Sequence, residues 1–214
     1  MSEPPVARVR TQVTMPLRFA DGYATLARVF TFEGLVDGRE HVAIGLGDRA
    51  DAVAPARRTP LVRPHSECLT GDVLGSQRCD CGAQLRESVA RIADAGGFLL
   101  YLRQEGRDIG LYAKLDAYEL QDEGFDTYDA NRELGFAADA RDYTAAAQML
   151  RALGVTRFDL LSNNPDKAGQ LERLGLDVAT RIPTGVHLTA SNARYLATKA
   201  GRGDHRLALP VQPL

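Results

Sequence analysis

Apolar and polar residues alternate along four short runs between residues 6 and 65. The runs are VARVRTQV, YATLARVFTF, HVAIGLGD and TPLVRPH, and a turn sequence, VDGRE, separates the second from the third. A period of two with many β-branched and aromatic residues is typical of half-buried strands. The pattern predicts an antiparallel meander at the start of the chain.

Beyond residue 83 the apolar spacing becomes helical. QLRESVARIADAGG ends at two glycines, as helices commonly do, and the buried strand GFLLYL follows. Further helices are predicted at IGLYAKLDAYELQDEG, YTAAAQMLRALG, PDKAGQLERLG and SNARYLATKAGR, with strands at FDLLSN and LDVATRI. The alternation predicts an α/β second half whose strands join the meander in one mixed sheet.

These elements indicate a single domain over residues 1–205 and a loose C-terminal tail over residues 206–214. The chain has 214 residues, of which 44% are hydrophobic and 25% charged, values typical of a globular protein. A formal charge of −2 argues against a broadly basic nucleic-acid binder. MSEPPVARVR lacks an apolar leader core, and no run suits a membrane helix, so we expect a cytoplasmic protein.

The stretch CLTGDVLGSQRCDCGAQL contains all three cysteines, Cys68, Cys79 and Cys81. Disulfides are rare in the cytoplasm, and the last two cysteines are too close for comfortable disulfide geometry. If that pair faces one way from an extended segment and a loop returns Cys68 to it, three thiolates surround one zinc ion. Three protein ligands leave a fourth position for water, which is the catalytic pattern.

Other interpretations of the cysteines stay open. His65 or an aspartate could complete a structural zinc site, or the cysteines could be buried small hydrophobic residues. Three thiolates donate much charge to a metal, so a nearby base or cation should assist a catalytic one. His65 and Glu67 flank Cys68 and are candidates for that role.

Two strand-to-helix junctions could bind anions, although no Walker A loop or G-x-G-x-x-G occurs. The first places Arg103, Glu105 and Arg107 at the end of a strand, just before a helix. The second, LLSNNPDKAG, offers Asn163 or Asn164 as a cap and Lys167 as a cation. An exposed ion pair and an ordinary capped helix are the alternatives. Two such junctions on one sheet predict one shared crevice.

Asp139 and Arg141 lie two residues apart in GFAADARDY and would share a face in an extended segment, as an acid/base group with a cation. As an alternative, Asp139 or Asp142 is simply a helix N-cap. Tyr118 falls within a predicted helix, where spacing alone indicates a core aromatic residue.

Together, RPHSECLTGDVLGSQRCDCGAQL, RQEGRDIGL, GFAADARDY and SNNPDK resemble GTP cyclohydrolase II of riboflavin biosynthesis, over about residues 20 to 200. The resemblance implies a homodimeric zinc enzyme. Its reaction would convert GTP to 2,5-diamino-6-ribosylamino-4(3H)-pyrimidinone 5′-phosphate, formate and pyrophosphate, with Mg²⁺ assisting at the triphosphate.

The resemblance also implies roles for individual residues. Cys68, Cys79 and Cys81 match the zinc ligands, Asp139 the proton acceptor, Arg141 a nucleophile toward the α-phosphorus, and Tyr118 a tyrosine near the purine. The positions that match GTP contacts are Arg63, His65, Ser66, Glu67, Gln84, Glu105, Gly106, Arg107, Thr127, Ser162 and Lys167.

Some positions depart from the family pattern. Ser162 replaces a threonine, Pro64 replaces an aliphatic residue, and IPTGVHLTASN differs from the more typical VPLxxGxNPxN. Two further hypotheses therefore accompany the main one. The first is a paralogue that stops at the formamide or uses another purine nucleotide. The second, from a different class, is a structural-zinc binding module.

Overall fold

The computed structural model describes residues 6–51, 59–137, 139–189 and 191–192. The strands in these residues are β1 (Arg8–Arg18), β2 (Ala24–Glu33), β3 (Val42–Leu46), β4 (Leu61–Ser66), β5 (Gly97–Leu102), β6 (Arg157–Leu161) and β7 (Asp177–Ile182). The α-helices are α1 (Leu69–Asp72), α2 (Cys81–Ala95), α3 (Leu111–Asp122), α4 (Thr127–Glu133), α5 (Thr144–Ala152) and α6 (Pro165–Arg173). Short 3₁₀ turns occur at Gly47–Arg49 and Glu105–Asp108.

The strands form one mixed sheet in the order β1-β2-β3-β5-β4-β6-β7. Neighbours from β1 to β5 are antiparallel, whereas β5, β4, β6 and β7 run parallel to one another. The predicted α/β class, mixed sheet and N-terminal meander are therefore confirmed for the first three strands.

The prediction is wrong for the fourth run, TPLVRPH. It forms β4, which lies between β5 and β6 and is parallel to both, since the chain crosses from β4 to β5 through α1 and α2. All but the last residue of β4 are buried, as expected for a strand in the middle of a parallel sheet with helices on both faces. The alternation of a short run does not record which strands it pairs with, so its pattern could not separate TPLVRPH from the meander strands.

Both faces of the sheet carry apolar clusters. On one face Phe98, Leu100 and Leu160 pack against Met149 of α5 and Leu171 of α6. On the other face a smaller cluster combines Leu61, Leu99 and Leu161 with Val89 and Ile92 of α2. This arrangement leaves the carboxyl ends of β4, β5 and β6 next to one another at one edge, where α/β sheets bind ligands.

The ends of two helices lie where the sequence predicts them. Gly96 ends α2 with a φ of 81°, and Asn164 caps α6 by accepting from the N–H of Asp166, both as expected. The seven-residue helix α4 was not predicted because it is too short for a periodic signal, although Asp126 caps it. The predicted helix at SNARYLATKAGR and the tail at 206–214 lie outside the described residues. None of the described helices combines the length and apolar character needed to cross a bilayer.

Candidate active site

The three cysteines converge on one point. Their sulfur atoms all lie within 4.8 Å of one another, and the Cys68 and Cys79 sulfurs are 3.7 Å apart. Two thiolates bound tetrahedrally to zinc at about 2.3 Å have sulfur atoms roughly 3.8 Å apart. The donor set is also soft, which favours zinc over magnesium or calcium. The cluster therefore fits a zinc ion by spacing and by ligand chemistry.

Two glycines permit this convergence. A Cβ added to Gly71 would lie 2.8 Å from the sulfur of Cys79 and 3.1 Å from that of Cys68. A Cβ added to Gly82 would lie 2.3 Å from the carbonyl oxygen of Gly71. Backbone therefore closes one side of the cluster, where a side chain would clash. The prediction that the Cys79–Cys81 segment is extended is wrong, since Cys81 is the first residue of α2.

The three thiols of the cluster differ in how readily they ionise. Hydrogen bonding with the other two thiols, followed by the nearby ammonium of Lys114, lowers the pKa of Cys68. The resulting thiolate and burial raise the pKa of Cys79 to about 11 and that of Cys81 well above its ordinary range. Cys79 and Cys81 therefore keep their protons until a cation binds, and metal binding would release those protons.

Lys114 of α3 is the residue beside the thiols that the sequence analysis missed. Its ammonium donates to the sulfur of Cys68 at 3.1 Å, to Glu105 at 2.7 Å and to the hydroxyl of Thr70 at 2.9 Å. Helical spacing could have indicated that Lys114 is buried, because it lies three residues before the buried Ala117 on the same face of α3. The expected cation near the metal ligands is therefore Lys114, rather than a residue adjacent to Cys68 in sequence.

His65 does not complete the metal cluster. Its Nε2 lies 3.1 Å from a carboxylate oxygen of Asp72, and its ring stacks on Tyr101 with centroids 5.6 Å apart. Among the described residues, the group able to hold a metal consists of the three cysteines. The alternative in which His65 or an aspartate supplies a fourth ligand finds no support in this geometry.

One pocket collects nearly every candidate residue. Its walls include Arg63, His65, Ser66, Glu67, Cys68, Cys79, Cys81, Gln84, Glu105, Gly106, Arg107, Tyr118, Thr127, Arg141, Ser162 and Lys167. These residues come from β4, β5 and β6 and from the loops and helices that follow them, so the predicted shared crevice is confirmed. Lys114, Asn131 and Thr184 also line the pocket and were missed. Asn163, which the sequence offered as a possible cap, lines it as well.

A buried polar chain forms one wall. Arg63 donates to the side-chain oxygen of Gln84 at 2.7 Å, and the side-chain nitrogen of Gln84 donates to the carboxylate of Asp80 at 2.6 Å. Burial lowers the pKa of Arg63, although a guanidinium stays protonated at neutral pH. These contacts fix the side-chain amide of Gln84 in one orientation, with its oxygen toward Arg63.

Contacts with neighbouring residues position two of the cationic side chains of the pocket, Arg107 and Lys167. The guanidinium of Arg107 lies over the ring of Tyr128 at 4.4 Å, and Lys167 donates to the carbonyl oxygen of Pro64 at 2.7 Å. Arg107 has a φ of 61°, in the left-handed region that few non-glycine residues adopt. Such strain is retained when the surrounding fold requires it, and it is frequent at functional sites.

Asp139 is the predicted site residue that does not line the pocket. It holds the pocket residue Arg141 instead, accepting from its Nε at 2.8 Å and from a second guanidinium nitrogen. Burial would raise the pKa of Asp139, but the hydrogen bonds and charge of Arg141 outweigh it and leave the pKa below 3.8. Asp142, rather than Asp139, bonds the start of α5, through the N–H of Thr144.

A three-thiol metal centre, placed at the carboxyl edge of a mixed α/β sheet beside cationic walls, defines a metalloenzyme-type site for an anionic ligand. The model of the family GTP cyclohydrolase II matches residues 8–183. The chain belongs to that family.

Curated relatives of this chain carry the name of the same family. The chain is 50% identical over 183 residues to a GTP cyclohydrolase-2 from Vibrio cholerae, covering 86% of this chain and 90% of the relative. It is 54% identical over 182 residues to one from Pseudomonas aeruginosa, with coverages of 83% and 86%. A third, from Psychromonas ingrahamii, is 46% identical over 205 residues and covers 96% of this chain and all of the relative.

Proposed function

We propose that the protein is a zinc-dependent GTP cyclohydrolase II. It hydrolyses GTP to 2,5-diamino-6-ribosylamino-4(3H)-pyrimidinone 5′-phosphate, formate and pyrophosphate, the first step of riboflavin biosynthesis. The observation that carries the proposal is that three metal-competent thiols and the cations Arg107, Arg141 and Lys167 line the same pocket. Ring opening needs activated water, and departing pyrophosphate needs positive charge.

The sulfur atoms of Cys68, Cys79 and Cys81 would hold the zinc. When bound, zinc supplies a Lewis acid that activates water for hydrolysis. The backbone at Gly71 lies so close to the sulfurs that it closes one side of the cluster, and Lys114 donates a hydrogen bond to the sulfur of Cys68. A structural-zinc module normally has four protein ligands, and the cluster in the described residues has three, which argues for the catalytic alternative.

Tyr118 is proposed as a catalytic proton donor. Burial raises the pKa of Tyr118, so its hydroxyl keeps its proton at neutral pH and is available as a donor. The hydroxyl lies 3.5 Å from that of Thr70, which also accepts a hydrogen bond from Lys114 at 2.9 Å. A proton given by Tyr118 to a departing purine nitrogen would leave a phenolate next to this lysine, which stabilises it electrostatically.

We assign guanine recognition to Gln84. Because Arg63 and Asp80 fix its orientation, Gln84 has one N–H and one oxygen lone pair left for a base edge. The proposed GTP-binding set is Arg63, His65, Ser66, Glu67, Gln84, Glu105, Gly106, Arg107, Thr127, Ser162 and Lys167, all of which line the pocket. Mg²⁺ with the triphosphate completes this proposal.

Arg141 is proposed as a charge clamp on the phosphates rather than a covalent nucleophile. A nucleophilic guanidinium must lose a proton, and Asp139, whose pKa is lowered by Arg141 itself, is a weak base for that purpose. The clamp predicts that no phosphoguanylyl adduct forms on the wild-type protein. An adduct trapped on the wild type and lost in Arg141→Lys would contradict it.

A cytoplasmic homodimer is the proposed state of the enzyme. Light scattering of the purified protein should give twice the 23.2 kDa mass of the chain, and a mass equal to one chain would contradict the dimer.

Incubation of the zinc-loaded protein with GTP and Mg²⁺, followed by mass identification of the products, tests the proposed activity. We expect the diamino pyrimidine 5′-phosphate from GTP and no reaction with ATP. Cys79→Ser, which removes one of the three thiols, should be inactive. A product that retains the formyl carbon would indicate the paralogue, and unreacted GTP would contradict the proposal.

A further inference from the structure

The carboxylate of Asp72 connects three elements beside the pocket. It is only 2% exposed, and it accepts from the backbone N–H of Cys68 at 3.0 Å and from the hydroxyl of Tyr101 at 2.9 Å. Its two oxygens lie 3.1 and 3.2 Å from Nε2 of His65. His65 and Tyr101 are register partners on β4 and β5, so their rings stack and reach the same carboxylate.

This geometry selects one tautomer of His65. An ionised carboxylate can only accept hydrogen bonds, so Nε2 of the histidine must carry the proton. In a neutral ring Nδ1 is then an acceptor, and this buried atom has no hydrogen-bond partner among the described residues. His65 is itself 3% exposed and lines the pocket.

The surroundings of His65 favour the neutral ring. Burial lowers the pKa of His65, and the positive charges of Arg63 on β4 and Lys167 on α6 lower it further. Asp72 on α1 acts in the opposite direction but does not outweigh them. Tyr101 on β5, which stacks on the ring, stays neutral because burial raises its pKa.

We propose that Asp72 is a positioning residue that fixes His65 in the Nε2–H tautomer, so that Nδ1 accepts a hydrogen bond from an N–H or O–H group of a nucleotide in the pocket. The identity of the nucleotide rests on the proposed function. The tautomer is a property of the protein alone and can be measured without any nucleotide.

The first test is ¹⁵N NMR of the zinc-loaded protein labelled in its histidine rings. The chain has four histidines, so four ring systems are expected, and the one that disappears in His65→Asn is that of His65. We expect its proton on Nε2 and a bare Nδ1 at neutral pH. A proton on Nδ1, or a doubly protonated ring, would overturn the inference whether or not GTP is a substrate.

Asp72→Asn provides the matched change. The backbone N–H of Cys68 and the hydroxyl of Tyr101 both point at one oxygen of Asp72, so the amide oxygen of asparagine should occupy that position. Its NH₂ group then faces Nε2 of His65, and the proton should move to Nδ1. Tyr101→Phe, which leaves the His65–Asp72 pair in place, should keep the wild-type tautomer.

Kinetics with GTP supply the second readout. Misplacement of a group that contacts the substrate can cost about 100-fold in rate, and we expect a loss in kcat/KM of about 10- to 100-fold for Asp72→Asn. Tyr101→Phe should lose much less. Asp72→Asn with wild-type tautomer and turnover would overturn the inference. If the wild-type protein leaves GTP unchanged, the proposed function fails, and the tautomer measurement alone decides the role of Asp72.

Discussion

The ammonium group of Lys114 donates a hydrogen bond to the sulfur of Cys68 at 3.1 Å. Three thiolates around a divalent zinc carry one net negative charge, which is costly to bury without a compensating cation. Lys114 is 9% exposed, and Glu105 holds its ammonium in place. The ammonium of Lys114 therefore compensates part of the charge of the metal centre, although α3 is distant from the cysteines in sequence.

Removal of this cation should weaken metal binding. Lys114→Met leaves Glu105 and the thiolates without the shared positive charge, and we expect zinc affinity to fall about 10- to 100-fold. Competition with a chromophoric chelator measures the change. Lys167→Met is the control, since Lys167 lines the pocket and its ammonium donates to Pro64. It should raise the KM for GTP and keep zinc affinity unchanged. Wild-type zinc affinity in Lys114→Met would contradict this role.

The close approach of Gly71 to the sulfurs predicts a steric effect. In Gly71→Ala the new methyl group would meet the sulfur of Cys79 at 2.8 Å, and forced overpacking costs about 1–3 kcal/mol. We expect a roughly 10- to 100-fold loss of zinc affinity by chelator competition. Gly169→Ala lies within α6, where the added Cβ meets only the end of Arg173, so it should leave zinc binding intact. Equal affinities in the two variants would refute the steric argument.

The carboxylate of Glu87 on α2 binds Gly185 and His187 in the segment after β7, so the stability of the protein should depend on the charge of Glu87. Burial raises the pKa of Glu87, but hydrogen bonds from Gly185, Arg91 and His187 outweigh it, so the pKa lies below 4.5. A lowered folded-state pKa stabilises the fold above the unfolded value, and this stability is lost as the pH falls through the folded pKa.

Urea unfolding of Glu87→Gln and wild type at several pH values measures this effect. At pH 7 the variant should have a free energy of unfolding about 1 kcal/mol lower than that of the wild type. This difference should shrink below about pH 4, because the wild-type carboxylate becomes protonated there. If the difference in the free energy of unfolding stays constant from neutral to acid pH, the charge of Glu87 does not stabilise the segment.

Tyr118→Phe separates binding from chemistry. The variant keeps the ring, over which the guanidinium of Arg78 lies at 4.5 Å, and loses only the hydroxyl. We expect kcat to fall about 100-fold while KM changes little, because a proton donor acts in the transition state. Steady-state formate release gives both constants. A raised KM with unchanged kcat would assign Tyr118 to substrate binding instead.

Local sequence signals predicted much of this molecule. The spacing of the three cysteines indicated a metal cluster, and the Asn164-Pro165 pair marked the start of α6, because both depend on neighbours in the chain. The place of β4 was mispredicted, since sheet order depends on crossovers that alternation does not record. Lys114 and Asp72 were missed because their roles arise from contacts between separate elements, Lys114 with Cys68 and Asp72 with His65 and Tyr101.

Formate and pyrophosphate counted in the same reaction test the central claim most directly. With zinc, each should equal the GTP consumed, and after removal of the metal both should fall to background and return when zinc is restored. Formate production by the metal-free protein would contradict an active site built on Cys68, Cys79 and Cys81, as would pyrophosphate release without formate.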